Sequence, residues 1–191
     1  MDIKRELKAA YLAGVLDSDG WFTIHRNSKP SLGKHLVNPC YSPRVGVNQV
    51  ERQACELALA MYGGTIHVID YSKTQNRFSQ KPMWNWNSNA DTIEVMLEEL
   101  IPHLRIKVQQ AKVLLRLVKD IRVNFRGGKY NPHPPEVIAF REKLYWELKR
   151  ANHPELAETK RVDPFIGDAI VQSAQMENVQ SEAEMSSPVS K

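Results

Sequence analysis

Apolar side chains recur along this chain in two rhythms, every three or four positions in some stretches and every second position in others, the periods of helices and of half-buried strands. Leu7, Ala10, Tyr11, Leu12, Gly14 and Val15, with charges clustered ahead of them, predict a helix over 2–16 whose second half is buried and which stops at Asp17-Ser18-Asp19-Gly20. Residues 21–26, aromatic and β-branched, predict a strand; a polar loop rich in Ser, Pro, Lys and Asn follows, then a second strand at 44–50. Ala54, Leu57, Ala58 and Met61 predict a helix over 51–61 closed by Gly63-Gly64. Residues 65–69 and 81–87 read as a hairpin, 91–100 as an amphipathic helix interrupted by Pro102, and 106–121 as another helix carrying Ala111, Leu114, Leu115 and Val118. Arg126-Gly127-Gly128 breaks the pattern, and after Pro134-Pro135 one further helix is expected at 136–150 from Val137, Phe140, Leu144, Trp146 and Leu148. The order αββαββα occurs once, with no second copy. Beyond residue 161 no period is evident and a disordered tail is expected. The expected division is therefore a core over 1–125, a helical extension over 126–160 and the tail over 161–191.

Composition changes this picture little. With 42% hydrophobic and 25% charged residues the chain is of an ordinary globular kind. The longest uncharged apolar stretch, Ala9 to Leu16, is far short of the roughly 20 residues that span a bilayer. Asp2, Lys4, Arg5 and Glu6 stand where a signal sequence would begin, so a soluble, intracellular protein is expected, with no membrane partner. Cys40 and Cys55 form no CxxC and suggest neither a zinc ribbon nor a disulfide framework. Charge is more informative. The net is +4, but residues 161–191 hold two basic and five acidic side chains, so the first 160 carry +7, which is compatible with a nucleic-acid partner.

The chemistry concentrates in Leu12-Ala13-Gly14-Val15-Leu16-Asp17-Ser18-Asp19-Gly20, where two carboxylates sit at the end of a helix. A helix C-terminus carries about half an elementary negative charge, so Asp19 gains nothing from the dipole and is better placed beside a cation. Gly20 is expected to take a left-handed capping conformation, leaving the Asp19 carboxylate and the Ser18 carbonyl as hard oxygen ligands suited to Mg²⁺. The plainer alternative is a solvated Asp-Ser-Asp-Gly turn. An EF-hand is excluded, because with Gly20 at the sixth loop position the first and twelfth are Val15 and Arg26.

These nine residues resemble the LAGLIDADG signature of homing endonucleases at every position, with Val15, Leu16 and Ser18 as mild replacements. Val45-Gly46-Val47-Asn48-Gln49 before a helix, and Leu104-Arg105-Ile106-Lys107 with Gln110-Ala111, are similar to later landmarks of the same family, so that about residues 5–120 are covered. The resemblance implies an α+β, αββαββα fold with an antiparallel DNA-binding sheet plus an extra C-terminal helix. It implies a homodimer of the single-motif type, with Leu12, Ala13, Gly14 and Leu16 in the dimer interface, the alternative being that such small residues pack on the chain's own core. The implied activity is site-specific hydrolysis of double-stranded DNA at a long pseudo-palindromic site. The implied cofactor is Mg²⁺ or another divalent cation such as Mn²⁺, with Asp19 and the Ser18 carbonyl as ligands and Asp19, Gln49 and Lys107 catalytic. Taken singly, a Gln at a strand end and a Lys at a helix start are usually solvent-facing. Gln53 stands where several relatives carry a basic residue, with Arg52 beside it.

The sheet is expected to meet DNA through Thr23, His25, Arg44, Asn48, His67, Arg77, Asn85 and Asn87, with Gly46 among them and Arg26, Lys29, Lys34, Lys73 and Lys81 available to phosphates. Trp84 and Trp86 are expected in the core or an interface. A non-cleaving protein of the same fold, an intron RNA maturase or a DNA-binding regulator, is the alternative function.

Overall fold

The computed structural model describes residues 3–27, 39–70, 81–124 and 133–157. Lys29, Lys34, Lys73, Arg77 and the expected tail lie outside them. The elements are α1 (Ile3–Asp19), β1 (Gly20–Asn27), β2 (Cys40–Gln49), α2 (Gln53–Tyr62), β3 (Thr65–Ile69), β4 (Met83–Asn87), α3 (Ile93–Leu100), α4 (Val108–Val123) and α5 (Pro135–Asn152). The chain divides into two units, Met1–His153 and Pro154–Lys191; of the second only the 3-10 turn Pro154–Ala157 is described.

The four strands form one antiparallel sheet in the order β1-β2-β4-β3. Alternation along β1 turns Gly20, Phe22 and Ile24 to the buried side, and the register brings Val45 and Val47 of β2 and Trp86 of β4 to the same side. Leu12, Ala13 and Leu16 of α1 share one buried cluster with these residues, along with Met96, Leu97 and Leu100 of α3 and Leu114 and Leu117 of α4. Leu144 and Leu148 of α5 belong to that same cluster, so the helix beyond the minimal αββαββα set is part of the core. Cys55 is buried and Cys40 exposed, both as free thiols.

Local signals explain most boundaries. Gly63, at φ 71°, takes the left-handed conformation that ends α2, its amide donating to Leu59 O at 2.8 Å. Pro135 opens α5 at a position where no helical N–H is needed. Two expectations change. α1 runs three residues past the expected stop, through Asp17, Ser18 and Asp19, because those residues gain partners from elsewhere in the chain. Gly20 does not adopt positive φ. Its lack of a side chain serves close approach instead: a Cβ there would lie 2.6 Å from Leu16 Cα and 2.7 Å from Leu16 O.

Two buried polar clusters dock α5. Glu142 accepts from Tyr41 Oη and from Trp146 Nε1 at 2.9 Å, and pairs with Arg26 Nε at 3.0 Å. Arg141 Nε meets Asp120 Oδ2 of α4 at 2.5 Å, both side chains buried, while Asn124 Nδ2 donates to Asp120 Oδ1 at 2.7 Å. Removing one charge of such a pair strands the other. Asp120→Asn is therefore expected to lower the unfolding free energy by about 3–5 kcal/mol in urea titrations, with surface pairs such as Arg52–Glu56 worth under about 1 kcal/mol as controls; equal effects would contradict this docking.

Candidate functional site

The last turn of a helix leaves its carbonyls without helical partners and concentrates partial negative charge there. At the end of α1 a cation from another part of the chain fills that need. Lys107, in the turn before α4, donates from Nζ to the carbonyl oxygens of Leu16 at 2.9 Å, Ser18 at 3.2 Å and Gly20 at 2.7 Å. Asp17 fixes the same turn from the other side, its carboxylate accepting from the amides of Arg105 at 2.6 Å and Lys107 at 2.9 Å. Burial pushes the Asp17 carboxyl up, but the amides of Lys107, Arg105 and Ile106 and the Lys107 charge outweigh it and hold it below its ordinary value. Burial also pushes the Lys107 ammonium down, further than Asp17 and Asp19 hold it up.

Asp19, the last residue of α1, is exposed. Its Oδ2 accepts from Gln49 Nε2, at the end of β2, at 2.7 Å, and the Ser18 hydroxyl lies 3.2 Å from the same oxygen. Asp19, Ser18, Gln49 and Lys107, drawn from three separate stretches of chain, thus meet at one helix end. As a ligand set for a divalent cation, one chain offers an exposed carboxylate and a backbone carbonyl. Among the described residues no cluster of three or more His, Cys, Asp or Glu could complete it. These two oxygen donors are of the right kind for such a cation but do not by themselves fill its coordination shell.

The sheet's other face is open. The register places Trp21, Thr23, His25 and Asn27 of β1, Cys40, Ser42, Arg44, Gly46 and Asn48 of β2, Met83, Asn85 and Asn87 of β4, and Thr65, His67 and Ile69 of β3 on it. None of these four strands contains an Asp or Glu. Acidic residues on the helices are instead paired locally, as in Glu94–Arg122, Glu98–Lys119 and Glu147–Arg116. Asn87 Nδ2 donates to Asn85 Oδ1 and Asn85 Nδ2 to Asn48 Oδ1, a chain of carboxamides across the open face.

No family model and no curated protein sequence matches the chain. Solved structures do. The homing endonuclease I-CvuI, in complex with its target in the presence of 2 mM Ca, superposes with a TM-score of 0.59 at 20% identity over 84% of this chain and 89% of that one. The chain has the LAGLIDADG homing endonuclease fold. The archaeal intron-encoded homing endonuclease I-Vdi141I, complexed with DNA, gives a TM-score of 0.57 at 13% identity over 77% of this chain and 85% of that one. The homing endonuclease I-TnaI gives 0.53 at 14% identity over 80% and 95%.

Within this LAGLIDADG fold several expected placements change. Leu12, Ala13 and Leu16 are 1%, 0% and 3% exposed in the single chain, packed into its own core. Of the four residues expected in a dimer interface only Gly14 is exposed. The apolar surface of α1 lies instead at Ile3, Leu7 and Tyr11, exposed by 72%, 66% and 55%, and continues through Gly14 at helical spacing. The spacing 3, 7, 11 and 14 puts this stripe on a different face of the helix from Leu12, Ala13 and Leu16.

Arg26 is not available to phosphates: it shares the core side with Phe22 and Ile24, pairs with Glu142 and lies over the Tyr145 ring at 5.7 Å. The Lys107 ammonium is turned into the end of α1 rather than out to solvent. Thr23, His25, Arg44, Asn48, His67, Asn85 and Asn87 lie on the open face, and Lys81 is exposed just before β4. Trp84 and Trp86 point to the core side, Trp86 donating from Nε1 to Gly63 O at 2.9 Å. Gln53 opens α2, exposed, while Arg52 is engaged by Glu56 at 2.8 Å and by the Trp84 ring at 4.5 Å. Trp21 is an addition: its indole lies across Gly46, where a Cβ would collide with the ring.

Asp17 gives the sharpest stability test. Its pKa is lower folded than unfolded, so its contribution is complete above the unfolded carboxylate value of about 3.9 and is lost as pH falls below that toward the folded value. Asp17→Asn keeps one acceptor for two amides and is expected to cost about 1–3 kcal/mol at neutral pH. The gap from the unsubstituted protein should narrow in urea titrations taken from pH 5 toward 2; a gap independent of pH would refute this account of the carboxylate.

Proposed function

We propose that two copies of this chain form a site-specific double-strand endonuclease, with α1 at the twofold axis and the open faces of the two sheets on DNA. The observation that carries this reading is the exposed Asp19 carboxylate at the end of a helix whose outer stripe is apolar. Pairing that stripe with its symmetry mate removes exposed Ile3, Leu7 and Tyr11 from water, and Gly14 lets the backbones approach. It also brings two Asp19 carboxylates and two Ser18 carbonyls to one place, the set that a single chain lacks. The DNA and calcium in the I-CvuI complex and the DNA in the I-Vdi141I complex are in keeping with this reading.

Asp19 and the Ser18 carbonyl would hold Mg²⁺ or Mn²⁺. Such an ion, once bound, lowers the pKa of a water and offsets charge on the phosphate. Gln49, fixed through Nε2 to Asp19, keeps Oε1 to orient water against the phosphate. Arg44 and Lys81, with Lys29 and Arg77 outside the described residues, would meet phosphates. Thr23, His25, His67 and the Asn48, Asn85 and Asn87 carboxamides would read base edges in the major groove, where such groups match adenine. Twofold symmetry makes the target a long pseudo-palindrome, and a homing role makes it the uninterrupted form of the locus into which the gene inserts.

Purified protein with Mg²⁺ and a plasmid carrying that locus tests the reading. Double-strand cleavage at one position is expected, with Asp19→Asn binding the same DNA and cutting at least ~100-fold more slowly, the order of loss on removing a group that stabilises the transition state. Cleavage by Asp19→Asn at the original rate would sink the metal assignment, and specific binding without cleavage in Mg²⁺ or Mn²⁺ would favour the regulator or maturase. Dimerisation is tested separately. Leu7→Glu with Tyr11→Glu buries charge in the seam and should give monomers by light scattering and no double-strand breaks, whereas a dimer unaffected by both changes would place the interface elsewhere.

A further inference from the structure

The Lys107 ammonium has three N–H groups, and three carbonyl oxygens take them, at 2.7, 2.9 and 3.2 Å. None remains for a phosphate. The backbone from which the side chain starts is itself fixed, because Asp17 accepts the amides of Arg105 and Lys107. We propose that Lys107 is a positioning residue: its ammonium is a built-in cation that closes the carboxyl end of α1, holds the Ser18 carbonyl beside Asp19, and yields that carbonyl when a metal binds. The proposal rests on the assignment of Asp19 and Ser18 as metal ligands.

The distances set the order of exchange. Ser18 O is the most distant of the three oxygens, while Leu16 O and Gly20 O are held closer, so giving up Ser18 leaves the lysine anchored at two points. Before exchange the ammonium offsets the dipole of α1, which otherwise leaves Asp19 next to unpaired carbonyls. During exchange it repels the incoming cation, since the two like charges compete for one oxygen. Lys107 therefore stabilises the helix end and weakens metal binding. A lysine serving as a free charge for the phosphate would do neither.

Arginine separates the two roles. It keeps the charge, but its planar fork cannot converge on three oxygens around one nitrogen.

Terbium, a hard cation whose luminescence is sensitised by nearby indoles, is the probe; Trp21 lies two residues from Asp19. Full-length protein without DNA is titrated with Tb³⁺ as the unsubstituted chain and as Asp19→Asn, Lys107→Met and Lys107→Arg, with thermal melts in parallel. Lys107→Met should bind Tb³⁺ at least about tenfold more tightly, as removal of a unit charge a few ångströms away requires, and melt at lower temperature. Lys107→Arg should also melt lower, without the tenfold gain. Lys107→Gln repeats the charge test should Lys107→Met fail to fold. Unchanged or weaker Tb³⁺ binding in both neutral variants, or a melt of Lys107→Arg equal to that of the unsubstituted protein, overturns the proposal. If Asp19→Asn keeps the full Tb³⁺ signal, the metal assignment itself falls, and that failure is read independently of Lys107.

Discussion

The carboxyl end of α1 is the constraint on which the rest of the structure turns. A helix that stops beside two carboxylates gathers like charge with no compensation of its own, and here the turn before α4 supplies what is missing: two amides for Asp17 and one ammonium for the carbonyls of Leu16, Ser18 and Gly20. That connection lets α1 continue to Asp19 and sends the chain directly into β1. It ties residues about 90 positions apart, so the place where Asp19 stands is set by the packing of α4 as much as by α1 itself.

Charge is distributed to suit that arrangement. The helices carry the acidic residues and neutralise many of them against nearby Lys and Arg, while the four strands carry none, leaving the open sheet face with Arg44, two histidines and a line of carboxamides. No carboxylate on the strands competes there for the polyanion of the proposed reading, and amides and imidazoles are groups that can discriminate base edges. The core side of the sheet is sealed at its far end by α5, whose Glu142 engages Arg26 and Tyr41.

Much of this was legible from residue order because the signals were local. Period-two alternation gave the open face of the sheet, Gly63-Gly64 gave the end of α2, and the nine residues from Leu12 to Gly20 gave the helix end with its carboxylate. What was not legible depended on distant partners. The extension of α1 through Asp17 needed the Arg105 and Lys107 amides, and the direction of the Lys107 side chain needed three carbonyls from about 90 positions earlier in the chain. The burial of Leu12, Ala13 and Leu16 follows from helical period alone: the spacing that exposes Ile3, Leu7 and Tyr11 turns those three into the chain's own core. Arg26 was readable and misread, since it shares strand parity with Phe22 and Ile24.

In the proposed reading a single helix end of this design would be half of a cleavage centre, since one chain offers one exposed carboxylate and a phosphodiester hydrolase needs a shared set of oxygens. The measurement that tests this most directly uses mixed dimers, in which differently tagged unsubstituted and Asp19→Asn chains are co-expressed, purified as the heterodimer and assayed on the DNA locus in Mg²⁺. If each centre draws on both chains, the heterodimer loses double-strand cleavage. Heterodimers that cut both strands at the rate of the unsubstituted homodimer would contradict it.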